Sequence, residues 1–279
     1  MDIPHETTLL AKAFWSAAVV LGLSAVAERV SLRVAGILAG TPQNLALVYF
    51  FVGRDMGIDH VTQSAPHAIA SFSATIAFAL AYYLGSSRFP RYSAAAGSLI
   101  GLAVFITVAV VLSMIPFSLA SATALTLCAI GGAGWLGRDI ALKRVDKPVR
   151  YTARLLILRG TSAAVLVVSV ITLAEILGPR WTGLLTGFPT IFLPALLIIH
   201  LTYGAAQTHA IIRNFPVGLG AIIPYILSVT VTFPVWGVYG GTAASLAISL
   251  LYLAAVALIG PLLKSTASPS SSDARRGPR

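Results

Sequence analysis

The chain is short of charge. Asp, Glu, Lys and Arg make up only 10% of its 279 residues, against about 25% in soluble domains, so a water-facing surface of normal polarity is excluded. Apolar residues reach 57%, as expected where lipid solvates Leu, Val and Ile directly. Cysteine is limited to Cys128, inside an apolar run, so no internal disulfide can form. No His/Cys/Asp spacing has the form of a zinc site. No GxSxG, HExxH, Walker or dinucleotide fingerprint occurs, and neither an enzyme nor an ATP-driven machine is expected. No cofactor or metal is expected either.

The net charge of +10 does not point to nucleic acid. The basic residues fall in short stretches between long uncharged runs, where they meet a membrane surface at loop level, and no basic stripe carries interleaved aromatics. The lipid bilayer is the expected partner, and a homo-oligomer is left open. The N-terminus carries Asp2 and Glu6 ahead of Lys12, unlike a cleavable signal, so the first apolar run reads as a retained span.

A spanning helix needs about 20 apolar residues. Nine stretches qualify, at 9–27, 34–53, 66–85, 93–114, 117–136, 156–177, 181–203, 217–237 and 240–263. The uncharged region Ser93 to Trp135 is about twice as long as one crossing requires, and SMIPFSLAS with Pro116 offers a reversal. With nine spans and an outer N-terminus, only Lys12, Arg54 and Arg180 face outward, against 16 basic residues inside. Merging 93–136 into one span gives 14 against 5. The positive-inside rule favours nine. The expected fold is an all-α polytopic bundle. A four-span repeat occupies 1–115, a linker span and basic cytoplasmic loop 116–155, a second four-span repeat 156–263, and a disordered Ser/Pro-rich tail 264–279.

The division into halves comes from an internal repeat. AERVSLRVAGILAGTP at 27–42 and AEILGPRWTGLLTGFP at 174–189 share Ala, Glu, Arg, Gly, Leu, Gly and Pro, seven of sixteen positions, and Gly57 and Gly204 extend the register. Copies that start at spans one and six enter the membrane from opposite sides. This is the inverted-topology repeat of secondary transporters, with the fifth span as linker.

The repeated residues suggest roles. Gly36 and Gly40, like Gly183 and Gly187, are four apart, on one helix face where a neighbour can approach closely. Pro42 and Pro189 interrupt helices at matching places, leaving backbone carbonyls free at membrane depth. Thr41, Gln43 and Asn44 surround one break, and Thr186 and Thr190 the other. These seven residues are the candidate solute site, with kinked structural helices as the alternative. Phe188 gates or packs there. Glu28–Arg33 and Glu175–Arg180 lie at span ends, where they form ion pairs or serve a coupling ion. His200 is hydrogen-bonded and structural, or takes part in coupling.

GLLTGFPT at 183–190, an apolar run with a histidine, and AIIPY at 221–225 resemble the GlpM-like family of small bacterial inner-membrane proteins. The resemblance covers mainly 174–263, while the first copy has T-P-Q in place of F-P-T. It implies a bacterial inner-membrane location, and its one functional hint is an association with alginate production. The leading expectation is a secondary transporter or permease for a small solute, with the C-terminus cytoplasmic. The rivals are a non-transporting accessory protein of envelope polysaccharide or lipid assembly, and an intramembrane enzyme acting on a lipid-linked substrate.

Overall fold

The computed structural model describes residues 42–139, 153–189 and 192–266, with Phe14, Ala17 and Ala18. The expected span 9–27 and the start of the second therefore lie almost wholly outside the described residues, as do most of the loop 137–154 and the tail beyond Thr266.

Among the described residues all regular structure is helical. The α-helices are α1 (Gln43–Asp55), α2 (Ile58–Arg88), α3 (Ser93–Ser113), α4 (Leu119–Leu136), α5 (Ala153–Thr186), α6 (Phe192–Tyr203), α7 (Ala205–Leu219) and α8 (Ile222–Thr266). Four are long and apolar enough to cross a membrane: α2, α3 with its preceding turn, α4, and α8 over Ile222–Val256. Their outer faces suit lipid. Leu99, Ile106, Val110 and Val111 on α3, Leu127 on α4 and Val231, Val235 and Leu251 on α8 are exposed.

Helix α2 is the axis of the bundle. It packs against α1, α3, α4, α5, α7 and α8, and most of its apolar side chains are buried. Helix α3 returns antiparallel along it at backbone range. A Cβ on Gly97 would lie 3.0 Å from the Tyr82 carbonyl, and one on Gly101 would lie 2.9 Å from the Phe78 ring. The chain then turns at Met114–Ser118, where Ser118 and Ser121 form a capping box opening α4. Thr126 on α4 donates to the Ile69 carbonyl of α2 at 2.7 Å.

Two long helices are kinked rather than straight. Gly178 in α5 (φ 75°) and Gly237 in α8 (φ 66°) take left-handed backbone that only glycine adopts readily. Pro179 follows the first and opens the segment 179–186 at a position where its missing N–H costs nothing.

The helices start earlier than the apolar runs suggest. The expected span 66–85 is the interior of a helix that begins at Ile58, and the expected loop 204–216 is mostly α7. In both places a polar stretch follows the glycine, IDHVTQS after Gly57 and AAQTH after Gly204. Low hydropathy there does not mark a loop: both stretches are helical, with Ser64 and Thr208 buried while Asp59 and Gln63 stay exposed.

Gly57 and Gly204 hold φ 91° and 88°. Each closes an antiparallel hairpin. In the first, Ser64 donates to the Tyr49 hydroxyl at 3.4 Å. In the second, the Phe192 and Phe215 rings stack at 3.8 Å. A side chain at either glycine would be forced into a conformation costing about 1 kcal/mol or more. G57A and G204A should each lower the thermal midpoint of the purified protein by a few degrees. Unchanged midpoints in both would refute the hinge role.

Candidate functional site

One face of α2 carries His60, Ser64, His67, Ser71, Thr75, Tyr82 and Ser86, spaced by three, four or seven residues, so they form a polar stripe along an otherwise apolar helix. Most of the stripe meets the segment 179–209. His60 Nε2 lies 2.9 Å from Thr182 Oγ1, and Thr75 Oγ1 donates to the Gly187 carbonyl at 2.6 Å. The Phe78 and Phe192 rings meet at 6.1 Å. Tyr82 Oη is 3.0 Å from His200 Nδ1, and Ser86 Oγ is 2.8 Å from His209 Nε2. Numbers rise together on both sides, so α2 and the segment 179–203 run in the same direction.

The centre of this seam is a helix break. Helix α5 ends at Thr186, a turn covers Gly187–Pro189, and α6 starts at Phe192. The Gly187 carbonyl accepts from the Thr75 hydroxyl. Thr75 sits close to the midpoint of the 31-residue α2. A helix of that length is more than long enough to cross the bilayer core. Thr186, Gly187 and Pro189 are buried, and Phe188 packs edge-on against Phe105 of α3 at 5.3 Å.

Gly183 and Gly187 both face α2. A Cβ on Gly183 would collide with the Ser64 carbonyl and lie 2.7 Å from Ala68 N. One on Gly187 would collide with Ser71 Oγ and lie 2.9 Å from the Ser71 carbonyl carbon. Close approach of backbones is what the spacing of four allows.

Pro189 and Pro42 have the same local role. Each carbonyl accepts the N–H four residues on, Leu193 at 2.9 Å and Ala46 at 2.8 Å, and so starts the helix after it. Thr186 donates to the Gly183 carbonyl at 2.6 Å. Thr41, Thr190, Glu28, Arg33, Gly36 and Gly40 lie outside the described residues. Gln43 and Asn44 lie in the first turn of α1 and Glu175 lies on α5 before the kink, but their side chains are outside the described part. Arg180 reaches the α3–α4 turn, donating to the Ser113 carbonyl at 2.8 Å. At the same end His67 Nε2 is 3.1 Å from the Ile115 carbonyl. His200 belongs to the far end of the seam, with Tyr82 on one ring nitrogen and Ser93 Oγ at 2.9 Å on the other. The structure thus brings Thr186, Gly187 and Pro189 to one place and leaves His200 and Arg180 at opposite ends.

A cleft of about 460 Å³ opens at the α1–α2 turn, lined by Gly53, Arg54, Met56, Gly57, Asp59 and Tyr239 among others. Among the described residues no group of three or more His, Cys, Asp or Glu could hold a metal ion.

Reading the sequence for its repeat missed Ser71, Thr75, Tyr82, Ser86, Ser93 and His209. The signal was present: hydroxyl and imidazole side chains recurring with a period near 3.5 along 60–86. The helix length, the apolar exterior and the buried polar seam together define an α-helical membrane protein with an interrupted helix at its centre. No family model, curated protein or solved structure matches the chain.

Proposed function

We propose that the chain is a secondary transporter or permease for a small solute. In this reading two inverted repeats meet along the α2 seam, and the solute site lies at the break Thr186–Pro189. The observation that carries it is the buried helix break near the midpoint of α2, where unwound backbone is stabilised by side chains of another helix. Interrupted helices at mid-membrane are where transporters bind their solutes, and irregular backbone is tolerated at that depth only in contact with protein or a cavity.

Helix directions support the inversion. The repeat register makes α6 the counterpart of α1, and α7 with the first part of α8 the counterpart of α2. Helix α1 runs antiparallel to α2, and α2 runs parallel to α6. The two counterparts α1 and α6 therefore run in opposite directions. The contacts between halves are reciprocal. Gly53 of α1 lies against Phe233 and Val238 of α8, while His200, the same position of the second copy, lies against Tyr82 and Ser93. An exchange of halves that reverses helix direction is a two-fold rotation about an axis in the membrane plane. The parallel course of α2 and 179–203 also favours counting α3 and α4 as separate spans, since three crossings between them preserve direction and two would reverse it.

The proposed setting is a bacterial inner membrane, crossed nine times, with the N-terminus outside. The GlpM-like resemblance of 174–263 agrees with that location. Reporter fusions at residues 60 and 116 should read as external, and those at 90, 145 and 206 as cytoplasmic. Halves of equal polarity would overturn the inversion. The transport reading is tested by reconstituting the full chain in liposomes and assaying counterflow across a panel of small organic solutes. Absence of flux for every solute in vesicles holding folded protein would count against it.

A further inference from the structure

We propose that His200 and His209, held side by side on α2, form a site that binds a single proton. The role of that proton as the coupling ion rests on the transport reading; its binding does not.

The first argument is placement. His200 is buried and has a hydroxyl on each ring nitrogen, from α2 and from α3. His209 is held by Ser86, and Tyr83 meets its ring edge-on at 4.7 Å. Tyr82 and Ser86 are one turn apart on the same face of α2, about 5–6 Å between their Cβ atoms. The two imidazoles are therefore neighbours along one helix, at the interface of four helices.

The second argument is that packing does not require them. Gly53 and His200 each lie four residues before a hinge glycine. In that register Tyr82, Ser86 and Ser93 fall on Val229, Phe233 and Gly240, and His209 falls on Thr62. Val229 and Phe233 are fully buried, and Phe233 packs directly over Gly53. The positions equivalent to the cluster's own side chains are thus occupied in the other half without an imidazole or a phenol. Burying a polar group is unfavourable unless it is fully hydrogen-bonded, so this cluster adds chemistry to a framework that closes without it.

The third argument is that the partners suit both protonation states. A neutral imidazole donates from one nitrogen and accepts at the other. Tyr82 and Ser93 can each rotate to donate or accept. When a proton from water adds to the accepting nitrogen, forming the second N–H bond, the hydroxyl there turns and accepts. No hydrogen bond is lost. Ser86, whose hydroxyl also donates to the Tyr83 carbonyl at 3.0 Å, can accept from a protonated His209 and keep that bond. Two imidazolium charges this close repel, so one proton is held at a time.

The other groups around the pair are few. Tyr82 and Tyr83 come from α2, and Tyr203 lies at the end of α6. Arg213 is one turn beyond His209 on α7. Helix α3 carries no charged or titratable side chain, and the one on α4, Cys128, is exposed. Arg88 and Arg91 at this end are exposed to solvent.

The test uses the full chain in lipid nanodiscs with 15N-labelled histidine, titrated by NMR from about pH 8 to 5, with signals assigned through H200Q and H209Q. The expected result is a single titration step in this range reported by both rings, each reaching only part of the full imidazolium shift, and a full one-site shift for His200 in H209Q. Two rings that stay neutral throughout in folded protein, or titrate independently, would overturn the site. Liposomes with an entrapped pH dye and the same solute panel test coupling: H200Q should abolish solute-driven proton movement. Proton-independent flux in the wild type would overturn the coupling role. A site that titrates as stated in a protein that moves no solute would uphold proton binding and sink the transport reading instead.

Discussion

Replacing Gly183 or Gly187 by alanine is expected to destabilise the protein by about 1–3 kcal/mol each, the range of overpacked cores. The added methyl would meet α2 backbone at Ser64 and Ala68 in one case, and Ser71 in the other. Backbone cannot step aside as a side-chain tip can, so α5 would have to move off α2 and break the Thr75–Gly187 and His60–Thr182 bonds. Gly131 and Gly132 on α4 supply the control, because a Cβ there meets nothing within 4 Å. Their alanine variants should stay within about 0.5 kcal/mol of the parent. Thermal unfolding in detergent, followed by tryptophan fluorescence, separates the two classes. Equal midpoints for all four variants would contradict the close approach.

Thr75→Val is expected to have the largest effect on function for the smallest change in shape. It removes the hydroxyl that donates to the Gly187 carbonyl at 2.6 Å and to the Ser71 carbonyl at 3.2 Å. A buried carbonyl left unsatisfied costs about 1–3 kcal/mol, and here it is the carbonyl at the turn of the broken helix. On the transport reading proposed above, flux in liposomes should fall by about ten-fold or more, since 1.4 kcal/mol at the site is a factor of ten, while membrane insertion stays normal. Thr75→Ser keeps the hydroxyl and should restore most of the flux. Loss of flux in both variants, or in neither, would show that the hydrogen bond does not hold the site in place.

Much of the architecture is legible in the sequence because the bilayer imposes simple rules. The uncharged run 93–136 exceeds one crossing, and the chain turns at Met114–Ser118, beside Pro116. Pro189 sits at the helix break, and Gly57 and Gly204 share a backbone conformation as they share a register. Hydropathy fails where polar residues are buried by protein. The first turns of α2 and most of α7 read as loops because His60, Ser64, Thr208 and His209 lower the local average, although Ser64 and Thr208 are fully buried. The repeat also drew attention to residues present in both copies. The seam depends on residues present in only one: Thr75 has no counterpart hydroxyl at Ile222, nor His200 at Gly53. In the proposed two-repeat reading, shared residues would mark the common frame and unshared ones what sets the halves apart.

The glycine contacts also set where the bundle can yield. Before the break, Gly183 and Gly187 rest directly on the main chain of α2, a contact with almost no slack. After it, α6 meets its neighbours through rings, Phe192 on Phe78 and Phe215, and His200 on Tyr82. Rings can tilt and slide over one another at little expense, whereas two abutting main chains cannot. What ties the hairpin of α6 and α7 to α2 and α3 is instead the set of hydrogen bonds at His200 and His209, so any displacement of it along α2 has to break them.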